Sequence, residues 1–206
     1  ITIPNSVTSI GEYAFSGCSN LKTLVHGYYE NYEDLSNYLS TKVNALKKSD
    51  SEIIALTAVT MHIVSKEIIE KTGVELVSIP KSVCKEVLFR GYKKVGLLGT
   101  IFTMEKDYMK TDFIDAGIDV VVPNKDDRNL IAKRILEELE VGIVKESTLK
   151  KFNDIILKMK EENNIEAVIL GCTELPLLLS DSNCVLPCLD SVDIHINELI
   201  RLANEE

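Results

Sequence analysis

A thiol, a hydroxyl and a carboxylate follow one another directly in the sequence, at Cys172, Thr173 and Glu174. They come after an apolar run, 167–170, that ends at Gly171. An apolar run of this length bounded by glycine is typical of a strand buried on both faces. Reactive side chains at the carboxyl end of such a strand lie where open α/β sheets bind ligands. Cys172 is therefore a candidate for chemistry, although most free cysteines are small buried apolar residues.

A second apolar run ends in the same way. Residues 94–98 lead into Gly99, and two hydroxyls follow at Thr100 and Thr103. Two parallel strands would bring these hydroxyls and Cys172 to one rim of a sheet. The Gly-x-x-Gly spacing lacks the Lys and Ser/Thr of a phosphate loop, so it does not predict nucleotide binding.

Strand-like and helix-like segments alternate along the chain, which predicts an α/β fold with a parallel sheet covered on both faces. We expect the helix near residue 127 to be capped by Asp126 or Asp127 and the helix near residue 116 to end at Gly117. The predicted strands are 52–56, 74–79, 94–98, 118–122 and 167–170. The predicted helices are 32–48, 63–72, 81–90, 104–116, 127–140, 148–162 and 192–203.

Composition limits the classes of function. The chain has 206 residues, 45% of them hydrophobic, which is enough for a buried core. A net charge of −9 without a Lys/Arg cluster argues against nucleic acid and anionic membranes. No apolar run approaches the roughly 18 residues of a membrane span, and no secretory leader is visible. Five cysteines without a C-x-x-C pair suggest free thiols in the cytoplasm, and the Cys184/Cys188 pair lacks the histidines of a metal site.

Two longer motifs carry a family resemblance. Residues 170–179 read Leu-Gly-Cys-Thr-Glu-Leu-Pro-Leu-Leu-Leu, and residues 95–105 read Val-Gly-Leu-Leu-Gly-Thr-Ile-Phe-Thr-Met-Glu. Together with Tyr108 and the 117–123 stretch, they resemble the aspartate/glutamate racemase family over roughly residues 33–204. The resemblance implies two pseudo-symmetric Rossmann-like halves, no cofactor, no metal, a small acidic amino acid as substrate and a homodimer.

The domain boundaries follow from the same resemblance. Residues 92–188 match the second half of the family's fold. The first half corresponds to 25–91 with 189–206, and it lacks the opening strand–turn–helix unit that lines the substrate pocket in the family. We therefore expect a first half truncated at its amino terminus.

The resemblance also implies roles for single residues. The family moves a proton at Cα with two cysteines, one thiolate acting as base and one thiol as acid. Cys172 matches the second of these cysteines, and Glu174 takes an orienting or structural place. The substrate-binding residues implied by the resemblance are Thr60, Thr100, Thr103 and Thr173.

The first catalytic loop of the family departs from its pattern in this sequence. Ala58 stands at the position of the other cysteine, and Val59 at that of an asparagine that binds the substrate carboxylate. Thr60 and His62 still match, and His62 is expected to be a structural loop histidine. Loss of both polar groups predicts weak or absent racemisation.

The first 24 residues do not match a racemase. They resemble one turn of a leucine-rich repeat of the surface-protein type, and a single repeat cannot bury its apolar face alone. Either further repeats precede this segment, or it is a fusion remnant that packs on the rest of the chain. We expect an appendage without a function of its own.

Three functions stay open from the sequence. The first is an amino-acid racemase of the aspartate/glutamate type, with Cys172 as its acid–base thiol. The second is a single-cysteine decarboxylase or isomerase of the same superfamily. The third is an inactive fragment or binding module. Asp190 and His195 are either site-lining residues or, respectively, a helix cap and a surface histidine.

Overall fold

The computed structural model describes residues 31–205. The chain divides into two compact units. The described parts of the first unit are 31–55, 64–77 and 199–205, and the second unit comprises 56–63 and 78–198. The leucine-rich repeat predicted for 1–24 lies outside the described residues.

Two helices make up most of the described first unit. Helix α1, Tyr32–Lys48, begins where the Asn31 side chain accepts a hydrogen bond from the Asp34 amide (3.2 Å). Helix α2, Ser65–Thr72, ends at Gly73 in the left-handed region (φ 62°), as its glycine predicted. The two helices are joined by Lys71, whose Nζ donates to Ser36 Oγ at 2.6 Å.

The strands predicted at 52–56 and 74–79 do not form, and a single β-bridge between the two segments takes their place. Ala55 and Val77 form an isolated parallel bridge, and the Val77 amide donates to the Ile54 carbonyl (2.9 Å). Within the described residues no third strand joins them, and two paired segments alone are marginal in water. The prediction of strands at 52–56 and 74–79 was therefore wrong, because an apolar pattern does not form a strand without neighbours to pair with, and residue 79 already belongs to the next helix.

The second unit is built on a four-stranded parallel sheet in the order β2-β1-β3-β4. The central strands β1 and β3 are almost wholly buried, as their continuous apolar runs predicted. The α/β class with a parallel sheet is therefore confirmed. The strands are β1 Lys94–Gly99, β2 Asp119–Val121, β3 Ala167–Gly171 and β4 Cys188–Asp190.

Successive residues of β3 supply two separate cores. Val168 and Leu170 pack on one face of the sheet, while Ala167 and Ile169 pack on the other. This follows from the two-residue period of a strand. Helices α3 (Ile79–Phe89), α6 (Lys125–Glu137) and α7 (Glu146–Asn163) contribute apolar residues to these cores, α3 on the Ile169 side and α6 and α7 on the Leu170 side.

The single helix predicted at 104–116 is broken in the structure. It consists of α4 (Ile101–Glu105), a 3-10 turn (Asp107–Met109) and α5 (Thr111–Asp115). The break falls at Lys106, whose extended backbone (ψ 161°) lets Met109 and Phe113 reach the core, where both are fully buried. Gly117 follows α5 with φ 72°, in agreement with the prediction.

Two further helix boundaries are those of α6 and of the last helix. The cap of α6 is Asn124, whose side chain accepts from the Asp127 amide (2.9 Å), so the prediction of Asp126 or Asp127 was wrong by two to three positions. The last helix, α8, runs over Ser191–Ala203. Between residues 31 and 205, every helix is too short or too polar to cross a bilayer.

Candidate active site

Two paired glycines set the geometry of the site. Gly99 on β1 is in register with Gly171 on β3. A Cβ atom on Gly171 would lie 2.8 Å from the Leu98 carbonyl oxygen, and one on Gly99 would lie 2.9 Å from the Gly171 oxygen. The strands can therefore approach this closely only with glycine at both positions. The residues that come next, Thr100 and Cys172, thus follow adjacent, register-matched strand ends, at the carboxyl edge where the sequence predicted them.

A chain of hydroxyl groups begins at the end of β1. Thr100 Oγ1 caps α4 by accepting from the Thr103 amide (3.3 Å), and it lies 3.1 Å from Thr103 Oγ1. Thr103 Oγ1 in turn lies 3.0 Å from the Tyr108 hydroxyl. Thr103 is fully buried whereas Thr100 is partly exposed, so Thr103 holds Thr100 in place from beneath. The contact with Tyr108 crosses the break in the predicted helix, and no local sequence signal indicates it.

A carboxylate gathers two donors at the end of β3. Cys172 Sγ donates to Glu174 Oε2 at 2.9 Å, and Thr173 Oγ1 donates to the same oxygen at 2.6 Å. The Cys172 side chain is buried, Glu174 is half-buried and Thr173 is exposed. The sequence predicted an orienting or structural role for Glu174, but it did not predict the direct hydrogen bond between Glu174 and the thiol.

The environment keeps the Cys172 thiol protonated. Burial raises the pKa of Cys172 well above its ordinary value, and the negative charge of Glu174 and the hydrogen bond that the thiol donates to it raise it further. The charge of Glu140 acts in the same direction. The resting site is therefore a thiol beside a carboxylate, and it can give up a proton to either an external base or Glu174.

The first loop has an apolar interior. Val59 opens the 3-10 turn Val59–Val64 and lies in the core beside Ile79 and Val83. Ala58 carries no group that can take part in proton transfer. Thr60 is half-buried in the same turn, and among residues 31–205 no hydrogen bond links its side chain to the other three threonines predicted to bind substrate.

His62 serves the structure of that loop. Its Nε2 accepts a hydrogen bond from the Ile79 amide (3.1 Å) at the start of α3, so the ring proton must lie on Nδ1. Nδ1 then donates to the carbonyl oxygens of Val59 (3.1 Å) and Ala58 (3.3 Å). Burial lowers the pKa of His62 to about 4, with a smaller contribution from His195. The imidazole is therefore neutral and fully engaged.

Asp190 and His195 differ in their hydrogen bonds. Asp190 Oδ1 accepts from the amides of Val192 (2.9 Å) and Asp193 (3.2 Å), so it caps α8. His195 is buried, not on the surface, and neither ring nitrogen has a hydrogen-bond partner within the described residues. Burial lowers the pKa of His195 to about 4. Between residues 31 and 205, no group of three metal-binding side chains is found.

The fold and the site define an α/β protein with a thiol, a carboxylate and hydroxyls at the carboxyl ends of its two central strands. The sequence model of the Asp/Glu/Hydantoin racemase family matches residues 20–199. The chain belongs to this family.

Three relatives illustrate the similarity. A candidate Asp/Glu racemase from Yersinia pestis superposes with a TM-score of 0.81 at 28% identity, over 93% of this chain and 82% of that one. An aspartate racemase homologue from Pyrococcus horikoshii OT3 gives 0.79 at 37% identity, over 87% and 79%. An uncharacterised protein encoded in the pnlA 3′ region of Pectobacterium carotovorum subsp. carotovorum is 30% identical over 106 residues, which are 51% of this chain and 68% of that protein.

Proposed function

We propose that this protein transfers a proton at Cα of a small acidic amino acid without a cofactor, and that Cys172 is its acid–base group. The hydrogen bond between Cys172 Sγ and Glu174 Oε2 (2.9 Å) at the carboxyl end of β3 carries the proposal. The membership of the Asp/Glu/Hydantoin racemase family and the similarity to an aspartate racemase homologue support it.

In this proposal Glu174 accepts the proton of the Cys172 thiol and later returns it. The Cys172 thiol passes its proton to the Glu174 carboxylate, and the resulting thiolate accepts the proton from Cα. The electron pair of the Cα–H bond moves into the substrate carboxylate. In reverse, the S–H bond breaks, Cα takes the proton, and the thiolate recovers a proton from Glu174. The raised pKa of Cys172 favours this second direction, because the thiol is the stable form.

The hydroxyl groups of the two loops hold the substrate in this proposal. Negative charge that develops on the substrate carboxylate is stabilised by donors placed in advance. Thr100 and Thr173 are at least partly exposed and can donate to it directly. Thr103 is buried and positions Thr100. Thr60, in the first loop, is a further donor to the same carboxylate.

The proposal places a single proton carrier on one face of Cα. Ala58 and Val59 offer no group for the opposite face, so exchange with solvent is fast for one enantiomer and slow for the other. Net racemisation is correspondingly weak, since loss of a positioned acid–base group costs about two to four powers of ten in rate.

Deuterium entry at Cα tests this proposal. L- and D-aspartate and L- and D-glutamate are incubated separately in deuterium oxide with wild type, Cys172→Ala and Cys84→Ala. Cys84 is a buried thiol in another part of the unit and serves as the matched control. We expect one-sided exchange in wild type and Cys84→Ala and none in Cys172→Ala. Equal exchange from both enantiomers, or exchange that survives Cys172→Ala, contradicts the proposal.

A single-cysteine decarboxylase is a second candidate. It is favoured by the burial of the Cys172 thiol and by its hydrogen bond to Glu174, which both raise the pKa of Cys172, so that the thiol can deliver a proton to the carbanion left by loss of carbon dioxide. The probe is a 2-substituted malonate, followed by carbon dioxide release and by the enantiomer ratio of the acid. Release that depends on Cys172, with no exchange at Cα of any amino acid, favours this candidate over the first.

A further inference from the structure

Three hydroxyl groups, those of Tyr108, Thr103 and Thr100, form a hydroxyl row that ends at a residue proposed to bind substrate. The Tyr108 hydroxyl lies 3.0 Å from Thr103 Oγ1, which lies 3.1 Å from Thr100 Oγ1. Thr103 is fully buried, whereas Thr100 and Tyr108 are partly exposed. Each link is a hydrogen bond, and hydrogen bonds in a row polarise one another. Tyr108 can therefore act on Thr100 without contacting the substrate itself.

The break in the helix predicted at 104–116 brings Tyr108 onto Thr103. Residues five apart in one continuous α-helix point about 140° away from each other around its axis, so their side chains do not meet. The extended backbone at Lys106 ends α4, and the next turn, Asp107–Met109, carries Tyr108 back toward Thr103. The fully buried Met109 anchors this turn, and the Tyr108 ring packs against one of the two apolar cores. The position of the phenol is therefore fixed by tertiary packing.

The protons of the hydroxyl row can run in two directions. Each hydroxyl group has one proton to donate, and Thr100 Oγ1 already accepts from the Thr103 amide (3.3 Å). If Tyr108 donates to Thr103 and Thr103 donates to Thr100, the Thr100 proton is left for a ligand. If the row runs the other way, Thr100 gives its proton to Thr103 and offers a ligand only a lone pair. The direction of the row therefore decides whether Thr100 can bind an anion.

The chemistry of the two ends favours the direction from Tyr108 to Thr100. A phenol gives up its proton more readily than an aliphatic alcohol, so Tyr108 is the stronger donor of the row. Its oxygen is also the weaker acceptor, because it shares electron density with the ring. A carboxylate bound at Thr100 selects the same direction, since its negative charge requires a donor there. Both effects leave the proton of Thr100 available to a ligand.

We propose that Tyr108 is a positioning residue, whose hydroxyl directs the hydroxyl row so that Thr100 donates to a carboxylate of the substrate. This inference rests on the proposed function, in which Thr100 holds the substrate carboxylate. Among residues 31–205, the side-chain hydrogen bonds of Cys172 and Glu174 do not involve the row. Tyr108 therefore acts on substrate binding and leaves the groups that transfer the proton unchanged.

Loss of the Tyr108 hydroxyl should weaken binding less than loss of the Thr100 hydroxyl does. Thr100→Val removes the donor itself, and a hydrogen bond to a charged group typically changes affinity about 10- to 100-fold. Tyr108→Phe removes only the group that polarises this donor, so we expect binding to weaken about three- to tenfold. Thr103→Val interrupts the row and should weaken binding to a similar extent.

A double-mutant cycle read out by dicarboxylate binding tests the proposal. The probe is succinate, which has the two carboxylates of aspartate but no amino group, and calorimetry measures its Kd with the full chain, Tyr108→Phe, Thr103→Val and the double variant. Because Tyr108 acts only through Thr103, we expect the double variant to bind no more weakly than Thr103→Val alone. Tyr92 packs against the same core as Tyr108 and is also partly buried, so Tyr92→Phe is the matched control and should bind as the wild type does. Losses that add up in the double variant, or wild-type affinity in Tyr108→Phe, overturn the proposal.

Deuterium exchange at Cα separates this inference from the proposed function. In Tyr108→Phe we expect the aspartate concentration at half-saturation to rise about three- to tenfold, while the exchange rate at saturation stays at the wild-type value. A lower rate at saturation with unchanged half-saturation overturns the positioning role. Succinate binding that shows the expected coupling, without any Cα exchange, supports the hydroxyl row but overturns the proposed function. Failure of the wild type to bind either succinate or aspartate overturns both.

Discussion

The loop at 58–62 and the end of β3 use their polar side chains in opposite ways. At the end of β3, the side-chain hydrogen bonds of Cys172, Thr173 and Glu174 that the structure shows among residues 31–205 join these three groups to one another, and the groups stay available for chemistry. At 58–62 the one strongly polar side chain is His62, and all its hydrogen-bonding capacity goes to the backbone. Backbone hydrogen bonds and apolar packing therefore maintain the 58–62 loop without any acid–base group left over for chemistry, whereas the end of β3 keeps such groups.

Acid should act on the structural histidines first. The pKa values of His62 and His195 are lowered to about 4 in the folded protein, against 6.5 in the unfolded chain. As pH falls below 6.5, only the unfolded chain takes up these protons, so stability is complete above 6.5 and is lost between 6.5 and 4. The loss reaches about 3 kcal/mol for each histidine.

Urea unfolding at a series of pH values measures this loss. Proton uptake on unfolding between pH 6.5 and 4 should fall in a His195→Leu variant, which removes one of the two groups. A free energy of unfolding that stays level down to pH 4 would show that the first loop does not depend on a neutral imidazole.

Neutralising Glu174 tests the chemical side of the comparison. Glu174→Gln keeps an acceptor for the Cys172 thiol but removes the negative charge, so the pKa of Cys172 should fall. Because the carboxylate that accepts the thiol proton is lost at the same time, Cα exchange should slow by about two to four powers of ten. Thiolate absorbance against pH and the deuterium exchange rate report the two effects separately.

An exposed carboxylate provides the control for that variant. Glu161→Gln changes the net charge by the same amount at an exposed position of α7, and it should leave both the pKa of Cys172 and the exchange rate unchanged. If Glu174→Gln and Glu161→Gln behave alike, Glu174 takes no part in the proton transfer.

Replacing each buried histidine in turn compares an imidazole that makes hydrogen bonds, His62, with one that makes none within the described residues, His195. His62→Leu strands the Ile79 amide and the Val59 carbonyl in a buried site, which should cost about 3 kcal/mol of unfolding free energy. His195→Leu strands nothing, since its ring nitrogens have no hydrogen-bond partner among the described residues, and it should be neutral or stabilising at pH 7. Denaturant unfolding of both variants decides the matter, and equal losses would mean that His62 has no special structural role.

Restoring the family's polar groups to the first loop should have a smaller cost. Val59 is buried in the core, so Val59→Asn introduces an amide there and should destabilise the protein by about 2 kcal/mol. Ala58→Cys alone should change stability little, because Ala58 is only half-buried. The double variant should gain exchange from the second enantiomer if the rest of the pocket is intact. Unfolding curves check the first two statements, and deuterium exchange from each enantiomer checks the third.

The two central strands, and the strand ends that carry the candidate site, could be predicted from the sequence alone. The runs 94–98 and 167–170 predicted two central buried strands, and both appear with one added glycine each. A strand covered on both faces has to be apolar without interruption, so its ends can be read from the pattern. The left-handed glycines at 73 and 117 were equally visible, since helix ends require a residue that tolerates positive φ.

Tertiary contacts decided the rest. The segments 52–56 and 74–79 have the composition of strands, but a strand also needs partners, and the described chain supplies only one bridge. The helix predicted at 104–116 broke at Lys106 because Met109 and Phe113 gain more by entering the core than the helix loses by interruption. Periodicity records which residues are apolar, and it does not record where the core is.

The chemical state of each reactive group was likewise beyond the sequence. Cys172 could be placed at a strand end from its neighbours, but its protonation depends on how deeply it is buried and on which oxygen of Glu174 faces it. A pKa measures the free energy of a charge in its surroundings, and those surroundings exist only once the chain has folded.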